Sequence, residues 1–331
     1  MNPRSLDHLT TIILRDILNW AAEYLKSHNI PSARLDSEVL LSFVLNKDRT
    51  YLYVNSETRI QKSEVRRFKE FIERRGMMEP VSYITGEKEF WSLKFKVTKD
   101  TLIPRPETEV LVQTVLDIIR SQKSEVRSQK SEACLERSLK VKNLQSPIFN
   151  PIRILDIGTG SGNIAVSIAK ESPESHVFTV DKSDSALSVA KENAIIHNVA
   201  GRIIFLKGDL YIPFNPPGPL FIKEGKERLF DIIVSNPPYI PTCDIEGLMP
   251  EVRDWEPRWA LDGGKDGLEI IQKIIKDAPL FLESGGFIAM EIGFGQYEEV
   301  SRIISDIDKF HNIKTIKDLS GIERVVTAWK R

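Results

Sequence analysis

Apolar residues recur every three or four positions from the start of the chain. Leu9, Ile12, Ile13, Ile17, Trp20, Ala21 and Tyr24 mark one face of an amphipathic helix expected over 5–28. The same spacing predicts helices over 32–45 and 62–75, the latter with Val65, Phe68, Phe71 and Ile72 inward and with Gly76 and Pro80 to end it. Residues 1–80 thus read as a small helical bundle. From Val81 to Val97 the pattern turns extended around Gly86, Phe90 and Trp91, so 81–105 is expected to form a hairpin connector. The run Pro104-Arg105-Pro106-Glu107-Thr108-Glu109 then suits a helix opening. Proline in a first turn gives up only an N–H that would stay unpaired, and carboxylates favour the positive end.

After Pro151, short apolar runs alternate with amphipathic stretches. Strands are expected at 152–157, 177–181, 202–207, 230–235, 286–292, 313–317 and 323–329, with helices at 162–171, 184–197 and 267–282. That rhythm predicts an α/β fold, a doubly wound and mostly parallel sheet within a domain over 106–331, with ligands at the carboxyl ends of the strands. The last two strands, joined through Ser320 and Gly321, read as an antiparallel edge hairpin.

One stretch belongs to neither pattern. Ser121-Gln-Lys-Ser-Glu-Val-Arg127 is followed directly by Ser128-Gln-Lys-Ser-Glu-Ala-Cys134, a tandem heptad too poor in apolar residues to bury anything. Residues 121–150 are therefore expected to be a solvated, flexible insertion. A second departure is the proline-rich run from Pro213 to Lys226. Charge separates the parts: the first 82 residues carry +2 and 120–142 carry +4, which leaves −7 elsewhere within a total of −1. A near-neutral total argues against a partner gripped through nucleic-acid phosphates. No apolar run is long enough to span a membrane, and nothing at the start resembles a secretory signal. The two cysteines, Cys134 and Cys243, form no metal-ligating or disulfide pattern, and the five histidines are scattered. A cytoplasmic protein without metal is expected.

The chemistry concentrates at strand ends. Ile152 to Val166 reads as an apolar strand, a glycine-rich turn and a helix start, with Asp156 just before Gly158-Thr159-Gly160-Ser161-Gly162. Glycines admit a ligand close to the backbone, and the helix start offers unpaired N–H groups. The spacing G-x-G-x-G differs from the dinucleotide fingerprint, because Asn163 stands where its last glycine would fall. Asp181 ends the next strand, where a carboxylate can accept both hydroxyls of a ribose. Asp209, within Lys207-Gly-Asp-Leu210, occupies the analogous place on the third strand and could reach an adenine. Taken singly, the loop is also compatible with a plain tight turn, and Asp181 with a cap for the helix near Asp184. Most informative is Asn236-Pro237-Pro238-Tyr239 at the end of a central strand. The prolines stiffen the exit and remove two donors, leaving the Asn236 amide and backbone carbonyls as acceptors for a planar NH₂-bearing substrate, with Tyr239 as a flat wall.

These motifs resemble those of class I S-adenosylmethionine-dependent methyltransferases that modify planar amino or amide nitrogens. The chain is more closely similar to the protein-(glutamine-N5) methyltransferases, the HemK or PrmC family. The resemblance extends over nearly the whole length: Leu35-Asp-Ser-Glu-Val-Leu-Leu41, Tyr83-Ile-Thr-Gly-Glu-Lys-Glu-Phe-Trp91, Ile103-Pro-Arg-Pro-Glu-Thr-Glu109, Glu256-Pro257, Ala260-Leu-Asp-Gly-Gly264, Asp266-Gly-Leu268, and Gly321 with Arg324. It implies a Rossmann-like, seven-stranded sheet with an antiparallel edge hairpin, and a helical domain that helps to dock the substrate. It also implies S-adenosyl-L-methionine as cofactor, leaving as S-adenosyl-L-homocysteine, held by Gly158, Thr159, Gly160, Ser161, Gly162, Asp181, Asp209, Leu210 and Asn236. The implied acceptor is the glutamine of a Gly-Gly-Gln loop in a class I peptide chain release factor, bound by Asn236, Pro237, Pro238 and Tyr239. Asn236, Pro237 and Tyr239 would carry catalysis. A ribosomal-protein glutamine, an adenine of DNA, or a non-enzymatic nucleoside-binding module are the rival readings.

Overall fold

The computed structural model describes residues 12–121, 151–214 and 229–331, with the short pieces 222–223 and 226–227. The expected insertion at 121–150 thus lies outside the described residues beyond Ser121, as does most of the proline-rich run. The chain divides into two units. One runs to Glu87 and takes in Leu248–Trp255, while the other comprises Lys88–Gly247 and Glu256–Arg331.

The first unit is built from α1 (Leu14–Ser27), α2 (Ala33–Leu45), α3 (Arg49–Val54), α4 (Lys62–Gly76) and α5 (Val81–Thr85). Ile17, Leu25, Leu40, Leu41, Phe68 and Ile72 meet in its core. Of the helix expected over 5–28, residues 5–11 lie outside the described residues and Ile12–Ile13 are not helical, so the described helix begins at Leu14. Ile13 is extended (φ −95°, ψ 155°) and bridges to Arg59, so its apolar side chain extends the helical spacing without belonging to the helix. Helix α5 corrects a second expectation. Pro80 accepts from the N–H groups of Tyr83 and Ile84 and starts one helical turn, which Gly86 ends at φ +77°. Five residues are too few to display a helical period. The short helix α3 carries no apolar stripe either and was not foreseen.

Charged groups are buried in this unit. Arg75 is held by Asp36 and by Glu251, each at 2.7 Å, with 4% of its side chain exposed. Glu251 comes from a later one-turn helix, α9 (Pro250–Arg253), within the segment that returns to this unit.

The second unit starts at Lys88 within the hairpin of β1 (Glu87–Phe90) and β2 (Leu93–Lys96), whose Phe90 and Phe95 are buried with the sheet's helices. The connector foreseen at 81–105 is therefore divided, its first turn belonging to the helical unit and its hairpin strands to the sheet's core. A helix over 108–121, α6, follows the Pro-Arg-Pro run. Strands β3 (Ile152–Ile157), β4 (Ser175–Asp181) and β5 (Ile203–Lys207) alternate with α7 (Asn163–Glu171) and α8 (Asp184–Ile196). After the pair β6 (Ile222–Lys223) and β7 (Lys226–Glu227) come β8 (Phe230–Ser235), α10 (Glu269–Phe281), β9 (Leu282–Glu291), α11 (Tyr297–Ser305), β10 (Phe310–Lys317) and β11 (Glu323–Lys330).

The seven-stranded sheet has the order β10-β11-β9-β8-β3-β4-β5. Five neighbouring strands run parallel, and β11 pairs antiparallel with both β9 and β10, forming the expected edge hairpin. Helices α10 and α11 cover one face through Ile271, Ile274, Ile275, Val300 and Ile304. The other face is covered by α6 and α7, through Leu111, Val112, Val115, Ile164 and Ile168. Strand order reverses at β3, which lies between β8 and β4, so a crevice opens at the carboxyl ends of these strands. Among the described residues, no helix is long and apolar enough to cross a membrane.

Candidate active site

The carboxyl ends of β3, β4, β5 and β8 border one cavity of about 760 Å³. Gly158, Gly160, Asp181, Asp209, Leu210, Asn236, Pro237 and Pro238 line it, so most of the residues singled out from the sequence converge there. Thr159, Ser161, Gly162 and Tyr239 do not line it.

Those four act on the site's shape. Gly158 and Thr159 donate their N–H groups to the Val180 carbonyl at 2.8 and 3.2 Å, turning the chain sharply after β3. Gly162 sits at φ +79°, and a Cβ there would stand 3.0 Å from the Ala190 Cβ, so only glycine lets α7 pass α8 at this distance. Gly160, at φ +54°, meets nothing within 4 Å on its open side, which leaves its backbone bare to the cavity. The Ser161 carbonyl accepts from Asn193 Nδ2 at 2.8 Å, and the same nitrogen donates to the Lys96 carbonyl at 2.9 Å. The glycine loop is thereby tied to β2.

Carboxylates follow the loop inward. Thr159 donates its hydroxyl to Asp156 Oδ2 at 2.6 Å. Asp156 is fully buried, and burial pushes its pKa up to about 7, aided by the Asp181 charge and opposed by the Thr159 hydroxyl. Asp181 accepts the N–H of Gly160 on Oδ2 and that of Ser183 on Oδ1, both at 2.9 Å. Burial raises its pKa, against these backbone donors. The Lys182 N–H also favours the Asp181 anion, which leaves part of a carboxylate's about four acceptor positions for a ligand. The cap of α8 is the Ser183 hydroxyl, which accepts from the Ala186 N–H at 3.1 Å. Asp181 is thus not needed as that helix's cap. Asp209 pairs through Oδ2 with Lys182 at 3.0 Å, while its Oδ1 is buried without a partner among the described residues. Such an acceptor costs free energy unless a ligand donor meets it.

At the end of β8, Ser235 donates its hydroxyl to the Ile157 carbonyl at 2.8 Å and so fixes the strand exit to β3. Asn236 Nδ2 donates to Thr108 Oγ1 at 3.0 Å. The Tyr239 hydroxyl donates to Glu291 Oε1 at 3.3 Å, and its carbonyl accepts from Gln296 Nε2 at 2.9 Å. Its hydroxyl is thus anchored on Glu291, at the end of the strand next to β8. Thr108 and Glu291 were not singled out from the sequence. An acidic residue inside the apolar run Phe287–Ile292 was the available signal for Glu291, whereas Thr108 read as part of a helix opening. Trp259, 60% exposed at the cavity's border, was also missed.

Comparison with known proteins extends these observations. Residues 16–86 match the PrmC N-terminal domain, and residues 137–246 match the methyltransferase small domain. The release factor glutamine methyltransferase of Geobacter sulfurreducens is 39% identical over 313 residues, which cover 95% of each chain. That of Thermodesulfovibrio yellowstonii is 38% identical, covering 89% of this chain and 92% of its own. Among solved structures, a ribosomal protein L11 methylase from Lactobacillus delbrueckii subsp. bulgaricus matches 71% of this chain and 84% of its own, at 16% identity and a TM-score of 0.43.

Proposed function

The chain belongs to the family of release factor glutamine methyltransferases, and from that premise we propose that it methylates N5 of the Gly-Gly-Gln glutamine in class I peptide chain release factors, with S-adenosyl-L-methionine as donor. Carrying out that reaction in the cytoplasm would support translation termination. One observation carries the reading at the level of chemistry: Asn236 and its two prolines border the same cavity as Gly158, Gly160 and Asp181.

The residues present fit the cofactor. The free acceptor positions of Asp181 suit the two ribose hydroxyls. The buried, unpartnered Asp209 Oδ1 suits a donor such as the adenine amino group, with Leu210 beside it. Gly158 and Gly160 leave bare backbone on the cavity side, where a ligand can approach. When bound, S-adenosylmethionine supplies a methyl group on a positively charged sulfur.

The chain's own part in the chemistry is to orient a weak nucleophile. An amide nitrogen shares its lone pair with the adjoining carbonyl and attacks poorly unless that pair is aimed. Asn236 Oδ1 and the Pro237 carbonyl accept the two N–H bonds of the glutamine amide, so the lone pair points at the methyl group. Pro238 keeps the exit stiff, because its ring fixes φ. Positioning supplies most of the acceleration. The amide nitrogen becomes strongly acidic as it takes the methyl group, so one of its N–H protons would pass to solvent without a strong base.

The experiment offers labelled S-adenosylmethionine with a release factor, with its Gly-Gly-Gln→Gly-Gly-Ala variant, or with DNA. Label on the unaltered factor alone is the expected result. Label on DNA alone, or equal label on both factors, overturns the reading.

A further inference from the structure

The side-chain amide of Asn236 has an acceptor end and a donor end, and only one orientation serves the reading above. Its nitrogen contacts Thr108 Oγ1, but a hydroxyl both donates and accepts, so this contact alone would also tolerate the reversed amide. What selects between the two lies deeper. Thr108 and Glu291 are each 1% exposed. Glu291 closes β9, next to β8 in the sheet, and receives the Tyr239 hydroxyl on Oε1. The Thr108 hydroxyl also stands close enough to favour the Glu291 anion. Glu291 Oε2 is buried without a hydrogen-bond partner among the described residues, so an acceptor is still open to it. Burial is the largest influence on Glu291 and pushes its pKa up to about 7, with Glu107 acting the same way and the Thr108 and Tyr239 hydroxyls and Arg324 favouring the anion.

We propose that Thr108 and Glu291 are positioning residues that lock the Asn236 amide with its oxygen towards the cavity. Above about pH 7 Glu291 is ionised and only accepts, so it draws the Thr108 proton towards itself. The lone pair of Thr108 Oγ1 then faces Asn236, where only the NH₂ end of the amide can meet it. Oδ1 is left on the other side, turned to the acceptor slot. Direction is thus passed from a buried charge to a surface of the cavity through one hydroxyl. The inference rests on the reading that Asn236 grips the substrate amide.

Thr108→Val keeps the shape and removes the hydroxyl, whereas Thr108→Ser keeps the hydroxyl and removes the methyl. With a release factor as acceptor, Thr108→Val should lower kcat by about 10–100-fold, the scale on which supporting partners of a site act, with little change in the Kd of S-adenosylmethionine. Thr108→Ser should restore most of the lost turnover, and Glu291→Gln, which can donate back to the hydroxyl, should resemble Thr108→Val. A role in packing alone would reverse the order of the two threonine variants. Equal turnover in Thr108→Val and wild type, with Asn236→Ala inactive, overturns the relay and leaves the proposed function standing. Full turnover in Asn236→Ala removes the reading beneath both.

Discussion

Asp181 accepts the Gly160 N–H on Oδ2 at 2.9 Å, so the acidic end of β4 and the glycine-rich exit of β3 form one hydrogen-bonded unit. Asp181→Ala should therefore remove a ribose acceptor and loosen the loop together. Each hydrogen bond to a charged group is worth roughly 1.5–3 kcal/mol, so affinity for S-adenosylmethionine should fall by about 10–100-fold or more. Asp181→Asn, which keeps one carbonyl oxygen, should lose less. Titration calorimetry on the three proteins gives the order, and equal affinities would count against the ribose assignment.

Asn236→Ala should separate turnover from cofactor binding. Removing one oriented polar group from an active site costs on the order of 10²–10³ in kcat. The Kd for S-adenosylmethionine should change much less, because Asp181 and Asp209 remain. Single-turnover methylation at saturating cofactor measures the first quantity, and calorimetry the second.

Gly162→Ala tests the loop's backbone. The new Cβ would stand 3.0 Å from the Ala190 Cβ, at φ +79°, where side chains are strained. A cost of about 1–3 kcal/mol is expected. Thermal unfolding should show a lower Tm, and Gly201→Ala, where a Cβ meets nothing within 4 Å, should leave it nearly unchanged.

Stability should depend on pH through Asp156, whose pKa burial raises to about 7. In the unfolded chain the same group titrates near 3.8. Between these values the folded protein holds a proton that the unfolded chain has released. The stabilisation is therefore complete below about pH 4 and is lost as pH rises through about 7. Asp156→Asn should flatten this fall in the ligand-free protein. Urea midpoints at several pH values between 4.5 and 7.5 test it, and an unchanged slope would contradict the assignment.

Arg75→Ala should be costly in the helical unit. It strands Asp36, whose side chain is 11% exposed, without its cation. Breaking a buried pair from one side costs roughly 3–5 kcal/mol. Glu251 is 33% exposed, so Glu251→Gln should cost well under that. Denaturant unfolding of both variants supplies the comparison.

The central strands were legible because parallel strands buried on both faces must be continuous apolar runs, as Ile152–Ile157 and Phe230–Ser235 are. Asp181 and Asn236 were legible for a related reason: each stands at the carboxyl end of such a run. Two kinds of feature were not. Periodicity assigned Ile12 and Ile13 to a helix, although their backbone pairs with the segment near Arg59, because spacing alone does not show which partner an apolar residue meets. Contacts between distant segments were also hidden. Thr108 and Asn236 lie 128 positions apart, and nothing local to either marks the bond between them. Tyr239 is a further case: its place after the two prolines was legible, but the partner of its hydroxyl, Glu291, lies 52 positions away.

The return of Leu248–Trp255 to the helical unit bears on how this protein could be cut or recombined. A unit assembled from two separated stretches cannot be excised at a single peptide bond. Truncation after Glu87 would take the helices without Glu251, while deletion up to Glu87 would leave eight residues of foreign architecture inside the remaining chain. Inheritance would therefore have to pass both halves on together, and a chimaera joined at residue 87 would be a swap of one and a fraction domains.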